Sequence, residues 1–163
     1  MADYRQAECE DPILKSFLTD HNVFVDVVVT QRQGHPHPGY GFTPGTYVDG
    51  EGDVVCMAFG RCQLKFRLFW SPKEFQSVMF ADRDCLMVGR PCSDGCAEPV
   101  ADSPFHDVVR EPTGQMVSVI NDNPEVWREQ VFAYRLEIVT RRRGEAPQVM
   151  VIDPRIINRS RPQ

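Results

Sequence analysis

A chain of 163 residues with 42% hydrophobic and 25% charged residues has the size and balance of one globular domain, which excludes a disordered chain. Such a length buries roughly two thirds of its unfolded surface, so folding does not depend on disulfides or metals. The net charge of −5 argues against nucleic acid as a partner, because a phosphate backbone needs clustered Lys and Arg.

The first ten residues lack a basic start followed by an apolar run, so they do not read as a signal peptide. No window approaches the roughly 18 apolar residues of a membrane span. The expectation is a cytoplasmic protein with no membrane partner and its six cysteines mostly reduced.

In chain order, residues 1–20 form an arm. Asp11-Pro12 followed by Ile13, Leu14, Phe17 and Leu18 fits one or two helical turns, with Asp11 as N-cap. Val23 to Thr30 is the first clear strand. Val23, Val25, Val27 and Val29 share one face, and Asp26 on the other excludes burial on both sides unless its carboxylate is paired. Residues 33–52 read as a long Gly- and Pro-rich loop, with a short strand at Gly45 to Val48.

Asp53 to Phe59 and Arg61 to Trp70 read as a strand pair. In the second, Cys62, Leu64, Phe66, Leu68 and Trp70 alternate with Gln63, Lys65 and Arg67. Phe75 to Phe80 and Cys85 to Val88 are further strands. Residues 90–113 are a second irregular stretch, with a short strand at Val108-Val109. Gln115 to Ile120, Val131 to Thr140 and Gln148 to Asp153 complete the set, with Asn121 to Pro124 as a turn. Phe132, Tyr134, Leu136 and Ile138 fall on alternate positions, the period of a half-buried strand.

Eight or nine strands at this spacing predict an all-β fold, an antiparallel β-sandwich of Ig-like or jelly-roll-like type, as a single domain over 1–163. The ending Val151-Ile152-Asp153-Pro154-Arg155-Ile156-Ile157-Asn158, after the aromatic strand around Tyr134, resembles the last strand pair of small uncharacterised bacterial β-sandwich proteins. That resemblance covers the final quarter of the chain and implies a fold, not an activity. Pro154 is expected to end ladder pairing, because it has no N–H.

Three constellations bear on chemistry. Cys85, Cys92, Cys96 and His106 supply the donors of a Cys3His zinc site, but only the Cys92–Cys96 gap matches the usual ligand spacing; ordinary thiols are the simpler reading. His35 and His37 point the same way in extended backbone and are able to share a metal; a stiff exposed loop is the simpler reading. Asp49-Gly50-Glu51-Gly52-Asp53 alternates carboxylates with Gly as a Ca²⁺ loop does, but its register departs from the EF-hand, and a hairpin turn accounts for it.

No nucleophile elbow and no phosphate-binding loop occur, so an enzyme is disfavoured. Lys65-Phe66-Arg67-Leu68-Phe69-Trp70 reads as two faces of one strand more readily than as a base-stacking platform. From Ala133 to Gln163 seven Arg face three carboxylates, a basic segment on an acidic body.

The expected function is therefore a non-enzymatic protein–protein interaction or assembly module without a cofactor. Its partner is another protein or a second copy of itself. Arg141, Arg142, Arg143, Arg155 and Arg159 are the expected basic contacts on an edge strand. The alternative is a metal-binding protein, holding zinc through Cys92, Cys96 and His106 or a metal through His35 and His37. A weaker third reading places a small ligand between the sheets, under Tyr40, Phe42 and Tyr47.

Overall fold

A computed structural model describes residues 22–56, 61–91, 97–98, 100–122 and 130–158. The expected helical arm at 1–20 lies outside the described residues, as do the ends of the Asp53 to Phe59 strand and of the Asn121 to Pro124 turn.

The described residues hold twelve strands and no helix: β1 (Asn22–Thr30), β2 (Gly39–Phe42), β3 (Val54–Cys56), β4 (Cys62–Phe69), β5 (Ser77–Phe80), β6 (Leu86–Pro91), β7 (Ala97–Glu98), β8 (Phe105–Arg110), β9 (Met116–Asn121), β10 (Gln130–Arg141), β11 (Gln148–Ile152) and β12 (Arg155–Asn158). The count exceeds eight or nine because the two stretches read as irregular carry strands of their own and because β12 follows Pro154. β2 lies in the first, and the end of β6, with β7 and β8, lies in the second.

One sheet has five strands in the order β2-β1-β4-β9-β8. The other has seven. Its spine runs β3-β12-β10-β6-β7, and β11 and β5 also pair with β10. The sheets are mixed rather than purely antiparallel, because β1 pairs β4 in parallel and β12 pairs β3 in parallel. Parallel neighbours need a crossover connection. After β2 the chain leaves the first sheet, adds β3 to the second, and returns as β4 beside β1.

Alternation decides what goes inside. Val23, Val25, Val27 and Val29 of β1 are buried, as are Cys62, Leu64, Phe66 and Leu68 of β4. Phe132, Tyr134, Leu136 and Ile138 of β10 meet them from the other sheet, and all belong to one core cluster. The Phe66 and Tyr134 rings cross the interface at 5.0 Å between centroids, and Phe105 meets Phe132 edge-on at 5.0 Å. Each such side chain contributes about 1.5 to 3 kcal/mol by burial, so this layer outweighs any single polar contact.

The Tyr134 hydroxyl donates to the Gly52 carbonyl at 2.6 Å, which satisfies the one polar atom the ring carries inward. Gly52 has φ +84°, and a Cβ there would strike the Phe42 ring, so only glycine fits.

β10 is the longest strand and organises its sheet. On one side its first half pairs β12 and its second half β11; on the other it pairs β6 and β5. Pro154 interrupts this ladder without ending it. The Pro154 carbonyl accepts from Tyr134 N at 2.9 Å, and pairing resumes at Arg155. A proline lacks only the donor, so an acceptor position in the ladder stays available to it.

Candidate interaction surface

The second half of β10 has a neighbour on each side, and both neighbours are outer strands. β5 is covered. Its Phe80 carbonyl accepts from Arg110 Nε at 3.1 Å and Nη2 at 3.0 Å, and its Phe80 N donates to the Gly114 carbonyl at 2.8 Å. Its Val78 carbonyl accepts from Gln115 Nε2 at 2.6 Å. The β8–β9 turn and Arg110 thus engage the Phe80 N–H and the Val78 and Phe80 carbonyls that β5 would otherwise present.

No such bonds reach the outer backbone of β11 among the described residues. Among the described residues its backbone ladder runs to β10 alone. The registers Val139↔Val149 and Glu137↔Val151 set Val149 and Val151 on the outer face, while Met150 and Ile152 go inward. Val149 is 62% exposed and Val151 38%. Half-buried Val139 and Met79 continue the apolar strip across β10 to β5, because Val139 pairs Met79. An apolar surface on an unpaired edge is what an added strand or a second sheet would cover.

Beside β11 lies an open cleft of about 470 Å³ lined by Tyr40, Glu51, Asp53, Val151, Asp153, Pro154 and Arg155. Its floor is built by the 49–53 turn. Asp49 Oδ1 accepts from Glu51 N at 2.9 Å and from Asp53 N at 3.0 Å, and Asp49 N donates to the Asp53 carbonyl at 3.0 Å. The alternating carboxylates are thus a side-chain-closed hairpin turn. Asp53 is buried and held by Arg155, whose backbone N donates to Oδ1 at 3.0 Å and whose guanidinium donates to Oδ2 at 3.1 and 2.5 Å. Glu51 and Asp153 remain as exposed carboxylates on the cleft wall.

The expected basic residues do not form one edge. Arg141, Arg142 and Arg143 sit at the tip of the β10–β11 hairpin; Arg155 pairs Ala133, eight residues and roughly 27 Å back along β10. Arg155 serves Asp53, which holds its guanidinium above its ordinary pKa. Arg142 donates to the Pro36 carbonyl at 3.3 Å and lies 3.8 Å from Glu145. Arg141 and Arg143 are exposed. Arg159 lies outside the described residues.

Cys92 and Cys96 lie outside the described residues. His106 on β8 places Nδ1 3.0 Å from Asp107 and Nε2 2.9 Å from Asp122, and both carboxylates raise its pKa, Asp122 foremost. Both ring nitrogens are thereby engaged, and Arg61 binds the same Asp122 oxygen at 3.0 Å. Cys85 is a buried thiol with its pKa raised by burial. His35 and His37 are exposed on the β1–β2 loop. Among the described residues, no group of three or more His, Cys, Asp or Glu is placed to hold a metal ion.

The outer face of the five-stranded sheet offers a different surface. Phe66 and Leu68 point inward, and Lys65, Arg67 and Phe69 outward. Arg67 is held by Asp26 at 2.7 and 2.9 Å and lies 4.1 Å from the centroid of the Phe24 ring and 5.6 Å from that of Phe69. Phe24 and Phe69 stay exposed on this face, with the paired guanidinium beside their rings. Of the expected ligand lid, Phe42 and Tyr47 pack against the core, and Tyr40 lines the cleft.

Val149 and Val151 were missed as surface residues by sequence reasoning. The signal was present in Val149-Met150-Val151-Ile152, where both faces of a short strand are apolar.

No protein-family model matches the chain, and no curated protein matches it. Among solved structures it is similar to the crystal structure of the inclusion body protein PixA from Burkholderia cenocepacia J2315, at 7% identity and a TM-score of 0.26, covering 84% of this chain and 94% of that one. The superposition is too loose to transfer a residue or an activity. Among the described residues, no helix is long and apolar enough to cross a membrane.

Proposed function

We propose that the protein is a non-catalytic assembly module that associates with a second copy of itself through β11. The observation that carries this reading is the contrast between the covered backbone of β5 and the edge of β11, open among the described residues, with its exposed valines.

Symmetry favours a second copy. Antiparallel pairing of β11 with its own duplicate about Met150 sets Val149 opposite Val151 twice, as a two-fold interface requires. Cross-strand β-branched pairs support such a ladder. The same pairing brings the hairpin tip of one copy, with Arg141 and Arg143, toward the end of β11 in the other. There the cleft presents Glu51 and Asp153. Acidic cleft and basic tip are complementary and meet twice.

Size-exclusion chromatography with light scattering tests this. The expected result is a particle of about twice the 18.6 kDa chain mass, weakened by added salt because its rim contacts are charged. Val149→Lys and Val151→Lys are each expected to shift the particle toward the monomer, since an edge lysine opposes strand addition. A strict monomer at all concentrations, indifferent to salt and to these substitutions, overturns the reading.

A further inference from the structure

Four buried side chains form a polar layer at one end of the sandwich. Cys56 closes β3 in the seven-stranded sheet, and its lateral partner in the register is Asn158. Cys62 opens β4 in the five-stranded sheet, and its lateral partner is Asn121. The two asparagines bond each other across the core, Asn121 Nδ2 to Asn158 Oδ1 at 2.8 Å and Asn158 Nδ2 to Asn121 Oδ1 at 3.2 Å. Beside them the two sulfur atoms lie 3.9 Å apart, and Asn121 Nδ2 also donates to Cys56 Sγ at 3.4 Å.

We propose that Cys56 and Cys62 are a reactive dithiol that hydrogen peroxide converts to a disulfide joining the two sheets. A disulfide bond is about 2.0 Å long, so closure needs the sulfurs to approach by about 2 Å, within reach of side-chain rotation. The roles of the two sulfurs differ. Cys62 donates its S–H to Cys56, which lowers the Cys56 pKa and raises that of Cys62; burial raises both, and the Asn121 amide lowers Cys56 further. Cys56 is the nucleophile, and Cys62 keeps its proton until the second step.

The chemistry balances. Cys56 gives up its proton and its thiolate attacks one peroxide oxygen; the O–O bond breaks, and the leaving hydroxide takes up that proton as water, giving Cys56 sulfenic acid. Cys62 sulfur then attacks the Cys56 sulfur. The S–O bond breaks, the Cys62 proton goes to the departing oxygen, and water leaves. Two thiols are oxidised and one peroxide is reduced to two waters. Burial of both sulfurs suits an oxidant close to the size of water.

Tryptic mapping reads this directly. No Lys or Arg lies between Gln33 and Arg61, and cleavage after Arg61 puts Cys56 on the peptide Gln33–Arg61 and Cys62 on Cys62–Lys65, each with a single cysteine. Folded protein is treated with hydrogen peroxide, alkylated under denaturing conditions and digested. The expected product is the two peptides joined, lighter by two hydrogens than their sum and separated by dithiothreitol. Oxidation is also expected to raise the melting temperature by about 5 °C. In Cys62→Ser the same treatment is expected to leave Cys56 as a sulfenic acid that dimedone traps. Recovery of both wild-type peptides unlinked, as alkylated thiols or with Cys56 as a sulfinic acid, overturns the proposal. This mapping uses the wild-type chain and decides the matter whether or not a variant folds.

Discussion

The two strands that flank the second half of β10 make an instructive pair. β5 and β11 pair the same stretch of β10, anchor inward through Phe80 and Ile152, and turn half-buried Met79 and exposed Val149 outward on either side of Val139. They differ in what happens at their outer backbone. Arg110, Gly114 and Gln115 bond that of β5, whereas β11 borders an open cleft. The lesson is that edge protection here is a property of the neighbouring turn, not of the strand's own sequence.

The largest expected effect tests what the two edges share. Phe80→Ala should cost about 3 to 5 kcal/mol and Ile152→Ala about 2 to 5 kcal/mol in chemical denaturation, because both side chains are buried in one core. Unequal losses, with one edge near zero, would place the contrast inside the core instead of outside it.

Val149→Lys breaks the contrast at the open edge. It should weaken self-association by roughly tenfold or more, about 1.4 kcal/mol, with the folded monomer's stability little changed. Analytical ultracentrifugation measures the constant. Val109→Lys on β8, the outer strand of the other sheet and 57% exposed at that residue, is the control and should leave association unchanged.

Arg110→Met breaks the contrast at the covered edge. It strips the Phe80 carbonyl of its guanidinium donors and should cost about 1 to 2 kcal/mol by denaturation. An unchanged midpoint would mean that water replaces the guanidinium without loss.

The smallest effect sharpens the comparison at β8. That strand carries an irregularity between His106 and Val109, with Asp107 at φ +56°, which blunts its edge. His106 bridges Asp107 and Asp122, and its folded pKa is raised. The stabilisation from its charge is therefore complete below the unfolded value near 6.5 and fades as pH rises through the folded value. Solvent screens this partly exposed pair, so the effect is small. Between pH 6 and pH 8 the melting temperature of the wild type should fall more than that of His106→Gln, and parallel curves would remove His106 from the account.

Much of the architecture was legible from residues alone. The valines of β1, the alternating residues of β4 and the Phe132 to Ile138 face are buried as their period requires. Asp26 faces outward and is paired, by Arg67. The candidate surface was less legible. The hairpin arginines were visible as a charge run, but Arg155 was grouped with them although it is bound to Asp53, a partner 102 residues away. Cys56 and Cys62 gave no motif, because their asparagine neighbours arrive from β9 and β12.

The amino-acid order by itself determined which side of each strand sheds water, since that depends only on a repeat of two along the backbone. Which strands become neighbours, which of them run parallel, and which edge is left open were decided only in the folded molecule. Those choices depend on hydrogen bonds and side-chain contacts between segments distant in the chain, and nearly identical alternation satisfies many such arrangements.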